Sequence, residues 1–183
     1  AAPLVQVHLQ ERISSAIARA VADSTADIGI LNAGAYGEPL AMLPYREDEL
    51  VLIVPRGHPL ARRKKASFRE ALAHEFVGAH PGSAVNNQLH RAAAEIGLPL
   101  RLRIQVSGYD AMSLMVAAGM GIGILPRLSA RLYLASLDIR AVALDEPWVR
   151  RQLVVCVRSL EALSPAARSL VEHLCAGASP GLA

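Results

Sequence analysis

The stretch from residue 106 to residue 126 constrains the fold more than any other part of the chain. It reads V-S-G-Y-D-A-M-S-L-M-V-A-A-G-M-G-I-G-I-L-P, which indicates a strand end, a capped helix, a glycine stop and a second strand. Ser107 is a good N-cap, and Asp110 follows three residues later, so both side chains can accept from amides of the first helical turn. Residues 111–118 are apolar on nearly every face except Ser113, which predicts a buried helix.

Gly119 ends this helix, because glycine adopts the left-handed conformation at little cost. The run 122–125 is too short for another helix and suits a buried strand that ends at Pro126. A strand–helix–strand unit of this size predicts a crossover connection in a parallel sheet. In such sheets ligands bind where strands end and helices begin, which here means Ser107, Gly108 and Tyr109.

The rest of the chain also alternates between strand and helix patterns. The predicted strands are residues 4–9, 27–31, 50–54, 76–78, 100–106, 139–144 and 152–158. Two helices are predicted at residues 13–22 and 126–135. Between them we predict a short helix that Ser67 caps and another that carries Leu89, Ala93 and Ile96. A last helix begins at Ser164 and Pro165, with Leu170, Val171 and Leu174 as its buried stripe. This order predicts an α/β protein with parallel-type units.

Composition indicates a globular protein of one domain or two small ones. The 183 residues are 52% hydrophobic and 19% charged, and the longest apolar runs are far shorter than the roughly 20 residues of a membrane span. Because no secretion leader is visible either, we expect a cytoplasmic protein without a membrane partner. The net charge of +3 does not by itself indicate nucleic acid, and the basic run at 62–65 is either a solvated loop or a phosphate-binding patch.

The spacing of the cysteines, histidines and glycines does not indicate reactive chemistry. Cys156 and Cys175 are too few for a disulfide framework and are interpreted as free buried thiols. The six histidines show no metal-ligand spacing, and the glycines at 119–123 lack the further glycine and the following helix of a dinucleotide site. We therefore predict no metal, no cofactor and no catalytic residue.

Four short stretches resemble one protein family. They are A-D-I-G-I at 26–30, D-E-L-V-L-I-V-P-R-G-H-P-L-A at 48–61, the segment 109–126, and Pro147-Trp148 before the last strand. In this order and at these separations they resemble the effector-binding domain of LysR-type transcriptional regulators, over essentially the whole chain. A departure is Asp23-Ser24, where the family often has glycine after the helix.

The resemblance implies a type 2 periplasmic-binding-protein-like fold with two Rossmann-like lobes joined by two crossing segments. Lobe I would comprise residues 1–46 and 149–183, and lobe II residues 47–148, with a small molecule between them. The family's DNA-binding domain does not match any part of this chain. The resemblance further implies that this sequence lacks the first strand and helix of lobe I, because residues 4–9 match that lobe's second strand.

The resemblance also implies the ligand site. In this fold the effector lies at helix N-termini that face the cleft, where free amides suit a carboxylate or another anionic or polar group. The matching positions are Ser83, Ala84, Val85, Asn86, Ser107 and Tyr109 in lobe II, and Ile13, Ser14 and Asn32 in lobe I. Plainer interpretations remain: helix caps for Ser83 and Ser107, core packing for Tyr109 and a turn for Asn32.

The leading hypothesis is therefore a sensory domain that binds a small effector and signals to a DNA-binding domain outside this chain. The resemblance implies a homodimer or tetramer, with the helices at 13–22 and 109–118 as candidate contacts. The alternative is a solute-binding protein of a transport system with the same fold. An enzyme on a related fold is a third hypothesis, for which no reactive residue stands out.

Overall fold

The computed structural model describes residues 5–34 and 36–177, and within these ranges it contains six α-helices and eight strands. The helices are α1 Ser14–Ala22, α2 Phe68–Ala71, α3 Ala84–Ile96, α4 Tyr109–Ala117, α5 Arg127–Leu134 and α6 Pro165–Ala176. The strands are β1 Gly29–Asn32, β2 Ala41–Pro55, β3 Lys65–Ala66, β4 Phe76–Gly78, β5 Leu102–Gln105, β6 Gly123–Pro126, β7 Ile139–Leu144 and β8 Arg150–Val157.

The chain divides into two units. Unit 1 contains Ala1–Glu47 and Arg151–Ala183, and unit 2 contains Asp48–Arg150. The chain therefore passes from unit 1 to unit 2 within β2 and returns at the start of β8.

Unit 2 is built around the second half of β2. The side chains from Leu50 to Val54 are at most 2% exposed. The strand pairs antiparallel with β6 and also with β7, and β3 pairs with β7 in parallel. Because this run is covered on both faces and bonded on both edges, the predicted interior strand is confirmed.

The two faces of this run contact two different hydrophobic cores. Leu50, Leu52 and Val54 belong to one core, and Val51 and Ile53 belong to the other, as the two-residue period of a strand requires. The first core also contains Phe68, Phe76, Leu89 and Ile122, and the second contains Met112, Val116, Leu125 and Ala130.

Aromatic rings and a capping box hold α2 in the first core. The Phe68 ring lies edge-on to Phe76 and to Trp148, with centroid distances of 6.3 and 5.2 Å. Ser67 and Glu70 form the capping box at the start of α2, which confirms Ser67 as its cap. The backbone amide of Phe68 donates to Glu146 Oε1 at 2.7 Å, so the helix is also bonded to the segment that precedes β8.

The predicted strand–helix–strand unit has the expected parallel arrangement. Strand β4 pairs in parallel with β5, and Phe76 of β4 also pairs in parallel with Ile122, just before β6. The strands before and after α4 therefore run in the same direction on opposite edges of β4, which confirms the prediction.

Gly119 ends α4 as predicted. Its φ is +75°, its amide donates to Val116 O at 2.9 Å, and the Met120 amide donates to Met115 O at 3.0 Å. This pair of bonds is the Schellman motif, which satisfies carbonyls that the last helical turn cannot pair.

The prediction that α4 is buried on nearly every face is wrong for one face. Leu114 is 52% exposed, and Asp110 and Ala118, one turn away on either side, are also exposed. Ser113, the one polar exception in the sequence pattern, is instead fully buried and donates from its hydroxyl to Tyr109 O at 2.7 Å. A helix that lies on a sheet turns one face outward, and an apolar sequence does not tell which face that is.

Unit 1 contains β1 paired antiparallel with β8, and α1 packs on β1. Gly29 allows this close packing, since a Cβ atom there would lie 2.6 Å from Cys156 Sγ and 2.6 Å from Ile17 Cγ2. Cys156 is buried and Cys175 partly buried, and both are free thiols as predicted. Burial raises the pKa of the Cys156 thiol.

The prediction of a strand at residues 4–9 is wrong for the residues that the structure describes. Leu4 lies outside the described residues, and residues 5–9 form no strand. Val5, Val7 and Leu9 are 46%, 69% and 94% exposed. A strand requires a hydrogen-bonded neighbour, and within the described ranges β1 pairs only with β8, so the alternating pattern has no partner.

Smaller differences concern burial and contacts. Leu170 is exposed, whereas Val171 of the same predicted stripe is buried. The acidic residues Asp48 and Glu49 contact the start of α5. Asp48 Oδ1 accepts from the Leu128 amide at 3.4 Å, and Glu49 pairs with Arg127. Within the described ranges no helix is both long and apolar enough to cross a bilayer.

We predict that Gly29→Ala destabilises the domain by about 1–3 kcal/mol, because the added methyl overpacks the contact with Cys156 and Ile17. The matched control is Gly57→Ala, whose Cβ would meet no atom within 4 Å, so its free energy of unfolding should stay within about 0.5 kcal/mol of wild type. Chemical denaturation followed by circular dichroism measures both, and equal stability of the two variants would contradict the packing described here.

Candidate functional site

The candidate site in unit 2 lies where two helices begin. Strands β4 and β5 are parallel neighbours, and α3 and α4 each start a few residues beyond them. The Val106 amide after β5 donates to Gly78 O at 3.0 Å, which continues the pairing to the strand ends. The N-termini of α3 and α4 are therefore placed at the same edge of this sheet, where parallel sheets bind ligands.

Ser83 caps α3. Its Oγ accepts from the Asn86 amide at 3.2 Å, and its carbonyl accepts from the Asn87 amide at 3.0 Å. The plainer interpretation of Ser83 as a helix cap is therefore correct. The amides of Ala84 and Val85 have no acceptor in the part of the chain that the structure describes, as expected for the first turn of a helix.

Asn86 is an unusual side chain for this position. It is only 5% exposed, and its Oδ1 atom is buried without a hydrogen-bond partner among the described residues. Buried polar atoms are normally paired, so this exception calls for an explanation. Val85 is also buried, whereas Ala84 is exposed.

The N-terminus of α4 differs from the sequence prediction. Its N-cap is Gly108, which offers no side-chain acceptor, and Ser107 lies one residue further out and is exposed. Ser107 as the cap is therefore a wrong prediction. Tyr109 is the first residue of α4 and packs partly buried against the second core of unit 2, so its core interpretation has support. Asp110 folds back, and a Cβ on Gly108 would lie 2.3 Å from its Oδ1.

The three candidates in unit 1 lie at the start of α1 and the end of β1. Ile13 precedes α1, and its carbonyl accepts from the Ile17 amide at 3.0 Å. Ser14 is the first residue of α1. Asn32 ends β1, where its carbonyl accepts from the Tyr36 hydroxyl and its Oδ1 is buried without a partner within the described ranges.

One further candidate escaped the sequence analysis. Arg151, near the start of β8, has a buried Nε atom without a partner among the residues described. The only sequence signal was the basic pair Arg150-Arg151 at the beginning of a strand with a long apolar centre. A single buried atom depends on tertiary packing, which the sequence pattern does not contain.

Groups with displaced pKa values lie outside these helix starts. Burial and the neighbouring His74 lower the pKa of His58, and hydrogen bonds from Ser67 lower the pKa of Glu70.

No cluster of three or more possible metal-binding side chains occurs within residues 5–34 and 36–177. The basic run is exposed, with Arg63 paired to Glu70 at 3.3 Å and Lys65 to Asp145 at 2.6 Å, which favours the solvated-loop interpretation. What the helix starts can do chemically is donate hydrogen bonds from their backbone amides to a bound molecule.

Comparison with known families shows to which family the chain belongs. The model of the LysR substrate binding domain matches residues 1–178. The chain belongs to the LysR substrate-binding domain family. The chain is similar to YwbI of Bacillus subtilis (strain 168), an uncharacterized HTH-type transcriptional regulator, with 28% identity over 174 residues, 93% of this chain and 56% of the relative. The LysR domain spans about half the length of the curated relatives it matches.

Solved structures share the fold of this chain. The regulatory domain of Synechocystis PCC6803 CcmR in complex with 2-PG has a TM-score of 0.88 at 21% identity, covering 98% of this chain and 86% of that one. The effector binding domain of QuiR in complex with shikimate has a TM-score of 0.80 at 20% identity, covering 91% and 78%. These likenesses confirm the predicted α/β fold of the type 2 periplasmic-binding-protein-like class, and the family model supports a regulator domain over a transport protein.

We predict that Ser83→Ala lowers the free energy of unfolding by about 1 kcal/mol, because the Asn86 amide loses its acceptor. Ser107→Ala is the matched control and should change it by less than about 0.5 kcal/mol, since Ser107 is exposed and does not cap α4. Urea denaturation of the LysR domain measures both. A larger loss in Ser107→Ala would restore Ser107 as the cap.

Proposed function

We propose that this LysR domain is the effector-sensing part of a transcriptional regulator. The observation that supports this most directly is the match of residues 1–178 to the LysR substrate binding domain. The curated relatives are named as transcriptional regulators of the HTH type, and the matches to this chain cover 56% and 43% of the length of two of them. DNA would be bound by a domain outside this sequence, and a regulator acting on DNA would work in the cytoplasm. No reaction is part of the proposal.

The proposed effector is a small acid or another small polar molecule. The α3 and α4 starts offer the unpaired amides of Ala84, Val85, Asp110 and Ala111, and each helix adds a partial positive charge at that end. Such helix N-termini bind carboxylates and phosphates. We propose that Ser83, Asn86, Ser107 and Tyr109 contribute from unit 2, and Ile13, Ser14 and Asn32 from unit 1, as the family resemblance implies.

Signalling then requires two conformations of the regulator that bind the effector with different affinity. An effector shifts their balance only by that difference. We propose that the two units correspond to the two lobes of the family's fold, with the crossings near residues 47 and 150 as the connecting segments.

We predict that Ala84→Pro weakens binding of an acidic effector about tenfold without unfolding the domain. Proline removes one free amide, yet it is well tolerated at the first position of a helix, and Ser83 already has the extended backbone, with ψ 151°, that a following proline requires. Ala84→Ser keeps the amide and is the control.

The measurement has two stages. Thermal shift against a library of small carboxylic and phosphorylated acids identifies the acid that raises the melting temperature, and calorimetry then compares wild type, Ala84→Pro and Ala84→Ser. The proposal fails if no acid stabilises the domain. The assignment of the site to α3 fails if Ala84→Pro binds as tightly as Ala84→Ser.

We also propose that the regulator forms a dimer or tetramer in which α1 of one copy packs against α4 of another. In such an interface Leu114 of α4, which is 52% exposed, would be a central apolar contact.

We predict that Leu114→Glu lowers the dimer fraction at least about tenfold, because a charged carboxylate would be buried in the interface. Leu132→Glu, on the 72% exposed Leu132 of α5, lies outside the proposed interface and should leave it unchanged. Sedimentation velocity over a concentration series decides this, and equal effects of the two substitutions would refute the α1–α4 contact.

A further inference from the structure

The ring of His58 caps a short 3₁₀ helix in unit 2. The helix spans Pro59–Arg62, and its Leu60 amide donates to His58 Nδ1 at 3.2 Å. A backbone amide only donates, so Nδ1 holds a lone pair and the ring proton of the neutral imidazole lies on Nε2. The bond therefore exists only while His58 is uncharged.

This bond holds a side chain of the first core in place. Leu60 is 7% exposed and packs in that core. Its amide lies in the first turn of the helix, where no carbonyl of the same helix can accept from it. Without the lone pair of His58, the Leu60 amide would need water as its acceptor.

A second imidazole lies against the first. The rings of His58 and His74 meet edge to face with their centroids 4.4 Å apart, which joins the start of the 3₁₀ helix to the segment after α2. Burial and the charge of His74 both lower the pKa of His58. His58 thus stays uncharged to a lower pH than a solvated histidine does.

Other charged groups lie on the segments around this helix. They are Arg62 of the helix itself, Arg56 after β2, Asp138 and Arg140 at the start of β7, and Arg69, Glu70 and Glu75 on and after α2. Arg56 pairs with Asp138, and Glu70 accepts from the Ser67 amide. In the part of the chain that the structure describes, His74 is the one charged group that shifts the pKa of His58.

We propose that the bond between His58 and Leu60 is a pH switch, which opens the turn 58–62 when the ring of His58 takes up a proton. An imidazolium ring donates from both nitrogens and accepts at neither, so the Leu60 amide loses its acceptor. The new charge also lies beside the ring of His74. No effector takes part in this step, so it is independent of the proposed function.

The switch makes the stability of the domain fall as the pH falls. In the unfolded chain His58 has the ordinary histidine pKa of about 6.5, whereas the folded state keeps the ring neutral to lower pH. The unfolded state therefore binds more protons in this window. The contribution of the bond is complete well above that pKa, declines as the pH falls through it, and levels off once folded His58 is protonated as well.

Nuclear magnetic resonance on the wild-type LysR domain tests the switch directly. The shift of the Leu60 amide proton should titrate with the same midpoint as the His58 ring, and this midpoint should lie below about 6.5. The Asn86 amide, which donates to the hydroxyl of Ser83, is the internal control and should not follow that titration. A Leu60 amide that does not move with the His58 ring overturns the switch.

A pair of variants shows whether the pH dependence of stability comes from His58. His58→Asn keeps a capping acceptor that does not titrate. From about pH 7.5 to about pH 5.5, the unfolding equilibrium constant of wild type should rise about three- to tenfold more than that of His58→Asn. His90→Asn, at an exposed position of α3, is the matched control and should keep the full wild-type rise.

Urea denaturation at the two pH values measures these constants. An equal rise in wild type and His58→Asn overturns the switch, as does a rise that His90→Asn removes. If His58→Asn does not fold, the titration of wild type decides alone. His74→Gln adds an independent readout, since loss of the neighbouring charge should move the His58 midpoint upward, and an unmoved midpoint overturns the part assigned to His74.

Discussion

The hydrogen-bonded pairing of Leu50–Val54 on both edges is the constraint on which unit 2 depends. This run holds β6 and β7, and the segment before β6 pairs with β4 at Ile122. Strand β4 in turn pairs with β5, and α3 and α4 start beyond those two strands. The position of the candidate site thus follows from a succession of backbone pairings that begins at five consecutive apolar residues. The same residues divide the interior into two cores, so neither helix start could keep its place if this strand were lost.

Features that depend on residues within one helical turn could be predicted from the sequence. The cap at Ser67, the cap and proline at Ser164 and Pro165, and the glycine stop at Gly119 are all formed as expected. Features that need a distant partner could not. Residues 5–9 have the alternation of a strand but lack a neighbour to pair with. Leu114 has the character of a core residue but faces outward, because the side of α4 that meets the sheet is decided by the connections around it.

The candidate site shows the same division. The resemblance to the LysR family supplied the nine positions, and the periodicity of strands and helices explains why six of them lie at the starts of α3 and α4. The sequence could not distinguish Ser107 from Gly108 as the cap of α4, because both residues suit the position and the choice depends on how β5 ends. It also could not indicate the unpaired atoms of Asn86 and Arg151. Whether one oxygen or nitrogen is cut off from water is decided by packing from segments far away in the chain.

The packing of Trp148 has a practical consequence for spectroscopy. It is the single tryptophan of the chain, and its ring lies against Phe68 in unit 2. Intrinsic emission excited at the indole therefore reports the environment of α2, whereas unit 1, with α1, β1 and α6, contains no tryptophan. A melting curve recorded by emission alone can look like one cooperative transition even when unit 1 has already come apart. The tyrosines of that unit, Tyr36 and Tyr45, or a far-ultraviolet signal are needed to see the other half.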